Sequence, residues 1–487
     1  MLKVRLFVIT HNFCYVVNSA ERQNGRVCFN LASALQAGAA GSPGQNICLV
    51  CLAVSWREWQ MKITSWIKYW GQLLFLPVYW MSFLVPRDRK LWLFGSTFGR
   101  RFADNPKYLY LYVSQHKKEL GVHPVWISHD KSIVSMLSKK GYEAYYYHSL
   151  KGIWLAMRGK VYVFDNYSKD INFWQSGGAV KVNLWHGIPL KKIQADNLFD
   201  SFRHPHNLWE KWKNFPRNLS DEKPHHYVLA TSKFIKPVFA SAFRTRNVIV
   251  CGYPRNDSMS PGRVHNLYTA HEGRLLREIQ HKVNAEGMRM VYYMPTFRKS
   301  EEKFFDIVDI KKLGSFLERN RLLLCIKLHP KSALQGQFKR LCSHYITVIS
   351  ADADPYVFMG CSSVLVTDYS SVYFDYLLSG KPVVFFCYDL EEYLRDERAM
   401  YFSYKGYTPG RKSFTYKGLE GALLEALGSS GAFQDEREAM VKKMFQYGRE
   451  EACPALAGKI KVLAGDGTRH RRHRLYGRQG KHAGKTS

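Results

Sequence analysis

Residues 363–386 constrain the fold more than any other stretch. Ser363-Val364-Leu365-Val366 reads as a buried strand, and Thr367-Asp368-Tyr369-Ser370-Ser371 as a polar turn. An apolar, helix-length segment runs on to Gly380, and Val383-Val384-Phe385-Phe386 follows Lys381-Pro382 as a second strand. Strand, turn, helix, strand is a βαβ unit, which builds parallel sheets and places ligands at the carboxyl ends of the strands. Ser370 and Ser371 would open the helix at that end. A helix start that presents hydroxyls and unpaired N–H groups favours an anion, most often phosphate. A plain serine cap is the other reading of the same residues.

The alternation extends along most of the chain. Apolar runs at 91–94, 123–127, 160–164, 180–185 and 227–232, with helical patterns between them, predict one α/β domain over residues 88–243. Runs at 247–250, 290–293, 322–327, 345–349, 363–366 and 383–386 predict a second over 244–465. Residues 1–60 differ from the rest, whereas Met61 begins a more ordinary sequence, so 1–60 is expected to be an upstream extension. The tail 466–487 is basic and is expected to be disordered.

Residues 61–87 carry Trp66, Tyr69, Trp70, Tyr79 and Trp80 toward their two ends, with Arg87, Arg89 and Lys90 at the junction with the first domain. Lys68 interrupts the apolar run. A segment lying on a membrane surface, its basic residues on anionic headgroups, fits this pattern better than a spanning helix. A core helix is the alternative.

A net charge of +31 over 487 residues calls for anionic partners: nucleic acid, a nucleotide with a polyanionic product, or an acidic membrane. No Gly-x-Gly-x-x-Gly follows the first strand of either half and no P-loop occurs, which weighs against dinucleotide oxidoreductases and P-loop enzymes. No nucleic-acid-binding module is recognisable. The ten cysteines are scattered, with Cys251, Cys325, Cys361 and Cys387 in or beside apolar runs, as suits buried thiols in a reducing compartment. Cys48-Leu49-Val50-Cys51 has no second pair, and His225-His226 lacks the spacing of a metal site.

Four further residues stand at places where chemistry happens. His186 follows a strand and precedes Gly187 and Pro189, where it reads as a general base or as a histidine satisfied by a backbone carbonyl. His329 has the same placement in the second half, between Lys327 and Lys331, whose charges lower its pKa; bound phosphate would raise it again. It reads as a donor to a phosphate oxygen or as part of a stiff His-Pro turn. Arg298 offers the planar fork that suits phosphate oxygens, or is a surface arginine. Asp375 lies about one helical turn past Ser370 and Ser371 and is placed to accept from ribose hydroxyls, to fix the loop, or to face solvent.

Taken together, Asn183-Leu184-Trp185-His186-Gly187-Ile188-Pro189-Leu190-Lys191-Lys192, Pro295-Thr296-Phe297-Arg298, Lys327-Leu328-His329-Pro330 and Thr367-Asp368-Tyr369-Ser370-Ser371 with Phe374-Asp375 resemble the CDP-glycerol glycerophosphotransferase family, which includes teichoic-acid primases and polymerases and ribitol-phosphate transferases. The resemblance covers about residues 88–460. It implies a GT-B-like α/β fold of two Rossmann-like domains facing across a cleft, an acceptor domain first and a CDP-donor domain second. The implied enzyme sits peripherally on the cytoplasmic face of the cell membrane. It moves a polyol phosphate from CDP-glycerol or CDP-ribitol to a hydroxyl of a lipid-linked or polymeric glycan of the teichoic-acid or capsule kind, and releases CMP. By motif, His186 resembles the catalytic base, and Arg298, His329, Thr367, Ser370 and Ser371 the donor-phosphate contacts, with Asp375 on the ribose side. No cofactor, metal ligand or nucleic-acid partner is implied. A GT-B glycosyltransferase using a nucleotide sugar is the alternative reading.

Overall fold

Apolar runs form two separate parallel sheets in the structure, a computed structural model that describes residues 64–221, 225–259, 267–298, 301–396, 399–428, 431–448 and 451–465. The first sheet comprises β1 (Asp88–Phe94), β2 (His123–Ser128), β3 (Ala144–Tyr146), β4 (Gly159–Phe164), β5 (Val180–Asn183), β6 (Tyr227–Ala230) and β7 (Val248–Val250). Its order is β3-β2-β1-β4-β5-β6-β7, and every pairing is parallel. The second comprises β8 (Arg289–Tyr293), β9 (Leu322–Ile326), β10 (Ile346–Val348), β11 (Ser362–Thr367), β12 (Val383–Phe386) and β13 (Arg411–Ser413), in the order β10-β9-β8-β11-β12-β13, again all parallel. Both are Rossmann-like. Strand order reverses between β1 and β4 and between β8 and β11, and the crevices at those points are where such sheets bind ligands.

Both faces of the first sheet are covered. Trp92, Phe94, Trp126, Val161 and Val163 pack in one apolar cluster, and Leu91, Leu93, Val125, Ile127, Tyr162 and Phe164 in another. Successive residues of a strand point to opposite faces, so a strand buried on both sides must be apolar throughout. That is why these strands are plain in the sequence, while the three-residue edge strands β3 and β13 are not.

The strand expected to open the second domain instead closes the first sheet: β7 pairs with β6, Val228 opposite Val248. The chain also returns at its end. Helix α1 (Asp104–Gln115) of the first half receives the last described helix, Ala452–Gly465, with Cys453 Sγ directed at the Tyr108 carbonyl. Cys251, Cys325 and Cys387 are buried and Cys361 is half-buried, as their surroundings suggest. Cys48, Cys51, the extension 1–60 and the tail 466–487 lie outside the described residues.

Among residues 64–74, the first eight are helical and Trp66, Ile67 and Leu74 are exposed. In the following body, helix Leu76–Met81 leads a stretch in which Phe75, Trp80, Met81, Phe83 and Leu84 are exposed, while Tyr79 stacks on Phe173 at 4.8 Å. Arg87 departs from the headgroup role expected of it. Its guanidinium is turned inward onto the carbonyls of Ala156, Gly159, Ser82, Gln175 and Gly177, fastening this stretch to the sheet. Among the described residues no helix is long and apolar enough to cross a membrane.

Candidate active site

At the carboxyl ends of β4 and β5 the first sheet presents His186. The chain turns there through Trp185, held at φ 53 because its N–H donates to Asn183 Oδ1 (2.8 Å) and its carbonyl accepts from Asn105 Nδ2 (2.8 Å). The exposed His186 ring lies 4.0 Å from the Trp185 ring and contacts the Asp165 carbonyl through Nδ1 at 3.2 Å. A carbonyl only accepts, so Nδ1 carries the proton and Nε2 presents its lone pair outward.

Beneath it lies a buried carboxylate layer. Asp165 accepts from Ser96 Oγ (2.6 Å) and Thr97 N (3.0 Å), and Asp170 from Phe98 N and Asn166 N (both 2.9 Å). Burial, then Asp170 and Asp104, push the Asp165 carboxyl well above the usual range, and burial pushes Asp170 up to about 6. These contacts hold Thr97 and Phe98 at positive φ (49° and 55°).

The second sheet presents His329 just past β9. The Lys331 N–H donates to its Nδ1 at 3.1 Å, so Nε2 carries the proton, the opposite arrangement to His186. The side chain is exposed as a whole, but protein atoms, the Phe297 ring 5.6 Å away among them, lie around its ring. Their desolvation, followed by Lys331, Lys327, Lys191 and Arg101, lowers its pKa to about 4. Two of those cations come from loops of the first half: Lys191 Nζ donates to Tyr393 OH (2.8 Å), and Arg101 reaches the Asp352 and Ala353 carbonyls (3.1 and 2.9 Å). Lys327 is itself buried, and burial, then Arg101, lowers its pKa to about 7.

The two sets of loops meet at Gly187. A Cβ there would come 3.0 Å from Ser371 Oγ and 3.6 Å from Arg255 Nη2 on a backbone at φ 154, so a side chain at this position would be strained and would press on Ser371. Arg255, fully buried in the loop after β7, clasps both halves: Nη1 bonds Asp104 Oδ1 (2.7 Å) and Nη2 bonds Asp375 Oδ2 (2.5 Å). The Tyr253 and Tyr356 rings lie against the guanidinium, and Tyr356 OH donates to Asp375 at 2.9 Å. A second buried tie joins Lys107 to Asp354 at 2.9 Å. A third is an antiparallel bridge of Lys191 with Met400, flanked by Lys192 N to Ala399 O (2.8 Å) and Tyr401 N to Leu190 O (2.9 Å).

The structure therefore brings the His186–Gly187 turn against Ser371, with Ser370 beside it, and sets His329 past β9 within reach of Lys191 and Arg101 from the first half. Both serines are half-buried at the start of helix Val372–Leu377, and Ser371 makes no capping bond to that helix. Three other expected contacts are turned inward. Arg298 is buried between Asp389 (2.5 Å) and Asp368 and braces the loops after β8, β11 and β12, so its fork does not face an incoming phosphate. Thr367 is buried and donates to the Met294 carbonyl at 2.7 Å. Asp375 is fully covered and committed to Arg255 and Tyr356, so it does not reach a ribose. The sequence reading missed Arg255, Arg101 and Lys191 as parts of this site. Arg255 stands in a polar stretch after a strand, Pro254-Arg255-Asn256-Asp257, and Lys191 in the strand-end segment that carries His186.

Two Rossmann-like sheets with polar loops converging from both switch points define an α/β protein built to bind ligands at the carboxyl ends of its strands. The chain belongs to the CDP-Glycerol:Poly(glycerophosphate) glycerophosphotransferase family, whose pattern matches residues 77–456. It is 26% identical over 368 residues to the teichoic acid poly(glycerol phosphate) polymerase of Bacillus spizizenii, covering 72% of this chain and 87% of that one. It is also 26% identical over 345 residues to the teichoic acid glycerol-phosphate transferase of Staphylococcus aureus, covering 66% and 80%. Its fold is similar to that of the wall teichoic acid polymerase TagF, with a TM-score of 0.60 at 22% identity over 78% of this chain and 90% of that one.

Proposed function

We propose that this enzyme transfers a polyol phosphate, glycerol phosphate in the first instance, from a CDP-activated donor to a hydroxyl of a membrane-linked glycan or teichoic-acid-type polymer, and releases CMP. The observation that carries this reading is the complementary pair of histidines, one at the strand ends of each sheet: His186 with a bare Nε2, His329 with a protonated Nε2 among four cations. The acceptor oxygen attacks the phosphorus that bears the glycerol and loses its proton to His186 Nε2. The bond from that phosphorus to the bridging oxygen breaks, and CMP departs with the electron pair. His329 Nε2–H, with Lys191, Arg101 and the hydroxyls of Ser370 and Ser371, receives the charge on the diphosphate. Positioning and electrostatics of this kind carry most of phosphoryl transfer. Arg298, Thr367, Asp375 and Arg255 act through the loops they hold.

In this reading the first sheet, β7 included, forms the acceptor side and the second sheet the CDP-donor side of a GT-B-like enzyme. The enzyme sits on the cytoplasmic face of the membrane. The exposed apolar side chains between Phe75 and Leu84 support that placement, as does helix α2 (Leu208–Asp221), which exposes Leu208, Trp209, Trp212 and Phe215 beside Lys211, Lys213 and Arg217. An apolar stripe flanked by cations suits an anionic interface. CMP release from CDP-glycerol and CDP-ribitol, set against UDP release from nucleotide sugars, tests the reaction. UDP release alone would replace it with glycosyl transfer.

A further inference from the structure

A second polar pocket lies in the first half, between α2, the loop from Gln194 to Arg203 and the end of helix Lys236–Ala242. Tyr167, Gln194, Arg203, His225 and Arg244 line it. Tyr167 OH forms one wall, accepting from Arg203 Nη2 at 3.0 Å and Gln194 Nε2 at 3.5 Å. Arg203 is largely covered, and its carboxylate partner Asp200 stands 3.6 Å away. The lining carboxylate, Asp221, is already held by Lys169 (2.6 Å) and Arg217 (3.2 Å). Among the described lining residues two arginines, Arg203 and Arg244, stand against this one carboxylate.

His225 supplies an independent sign. Its Nδ1 is buried with no hydrogen-bond partner, a costly state that a ligand would relieve. Burial, then Arg203 and Lys181, hold its pKa near 4. The backbone is strained at two lining residues, Gln194 (φ 51) and Arg244 (φ 47), and such strain clusters at binding sites. The pocket also connects two surfaces. Tyr167 is two residues past Asp165, whose carbonyl holds His186. The Trp185 ring touches both His186 (4.0 Å) and Phe243 (4.9 Å), and Phe243 backs His225 at 5.0 Å. On the other side stands α2 with its exposed tryptophans.

We propose that this pocket binds a phosphate ester of the incoming acceptor and anchors it while a hydroxyl farther along the acceptor reaches His186. The word acceptor rests on the transferase reading; the anion site does not. The direct test is NMR of the full chain with labelled histidine, the His225 signal assigned by His225→Asn. Glycerophosphoglycerol, a soluble phosphodiester, is the titrant. Binding should raise the His225 pKa by at least one unit, and Arg203→Gln or, should that variant misfold, Arg244→Gln should abolish the rise. The same variant should raise KM for a soluble glycerol-phosphate oligomer about tenfold and leave the Kd of CDP-glycerol unchanged. A His225 pKa indifferent to saturating phosphodiester would overturn the site. A shift produced by phosphatidylglycerol vesicles that the oligomer fails to displace would make it a lipid headgroup site and overturn the acceptor role. A phosphodiester shift in a chain that releases no CMP would uphold the anion site and defeat the transferase reading.

Discussion

Replacing Arg255 by Met removes one guanidinium and strands two carboxylates at the joint between the sheets. Asp375 is fully buried, its Oδ1 already lacks a partner, and only Tyr356 OH would remain on its Oδ2. Leaving such a charge uncompensated costs roughly 3–5 kcal/mol. Asp104, whose side chain is 21% exposed, adds less because water screens it. Set against a total stability of about 5–15 kcal/mol, the single variant should unfold at a much lower urea concentration. The double variant Arg255→Met/Asp375→Leu removes the stranded charge and should recover most of the lost stability, since a buried pair replaced by apolar groups is often neutral. It should not recover turnover. Without the clasp Asp375 and the helix start at Ser371 are no longer held to Asp104 beside Gly187, and a displacement near 1 Å at reacting groups costs on the order of 10²-fold. The assay is urea denaturation followed by tryptophan fluorescence, beside CMP release from CDP-glycerol on the same samples. An unchanged midpoint in Arg255→Met, or full turnover in the double variant, would refute this account of the joint.

Other outcomes follow from the same geometry. His329→Asn should weaken the pH dependence of donor binding, leaving the part that Lys327, with a pKa near 7, contributes. In the wild type the bound diphosphate raises a pKa that is about 4 in the free chain, so the complex holds more protons, and CDP-glycerol should bind more tightly, with proton uptake measurable by calorimetry, as pH falls from 8 toward 5. Lys181→Met should be more stable than wild type at pH 7 by up to about 4 kcal/mol. Burial, then Arg87, lowers the Lys181 pKa to about 7 in the folded chain against 10.5 unfolded, so the unfolded chain binds more protons in that window. Wild-type stability should therefore rise toward pH 10 and the gap close. Trp209→Ser/Trp212→Ser on α2 should cut sedimentation with anionic vesicles several-fold and leave the unfolding free energy from urea denaturation within about 0.5 kcal/mol of wild type, as both rings are exposed.

The sheets were legible because strands buried on both faces must be apolar throughout, as Val161 to Phe164 and Leu322 to Ile326 are. β7 was legible as a strand but not as a member of the first sheet, since three apolar residues suit either edge and only pairing with β6 decides. The histidines were legible from their places at strand ends, and the structure then distinguishes them, because tautomers depend on partners distant in the chain or set by local turns. Arg298 shows the opposite limit. A cation after a strand looks ready for phosphate until the fold brings Asp368 and Asp389 onto it, carboxylates 70 and 91 residues away. Arg255 was hidden for the same reason, with Asp104 and Asp375 lying 151 and 120 residues distant.

The central claim is that His186 takes the proton while CDP-glycerol is cleaved at this joint. Its most direct test is CMP release from CDP-glycerol, with a membrane extract supplying acceptor, for wild type and His186→Ala. The account predicts acceptor-dependent release by wild type and a loss on the order of 10²–10⁴-fold in the variant, with the Kd of CDP-glycerol unchanged. Equal release by both would contradict it.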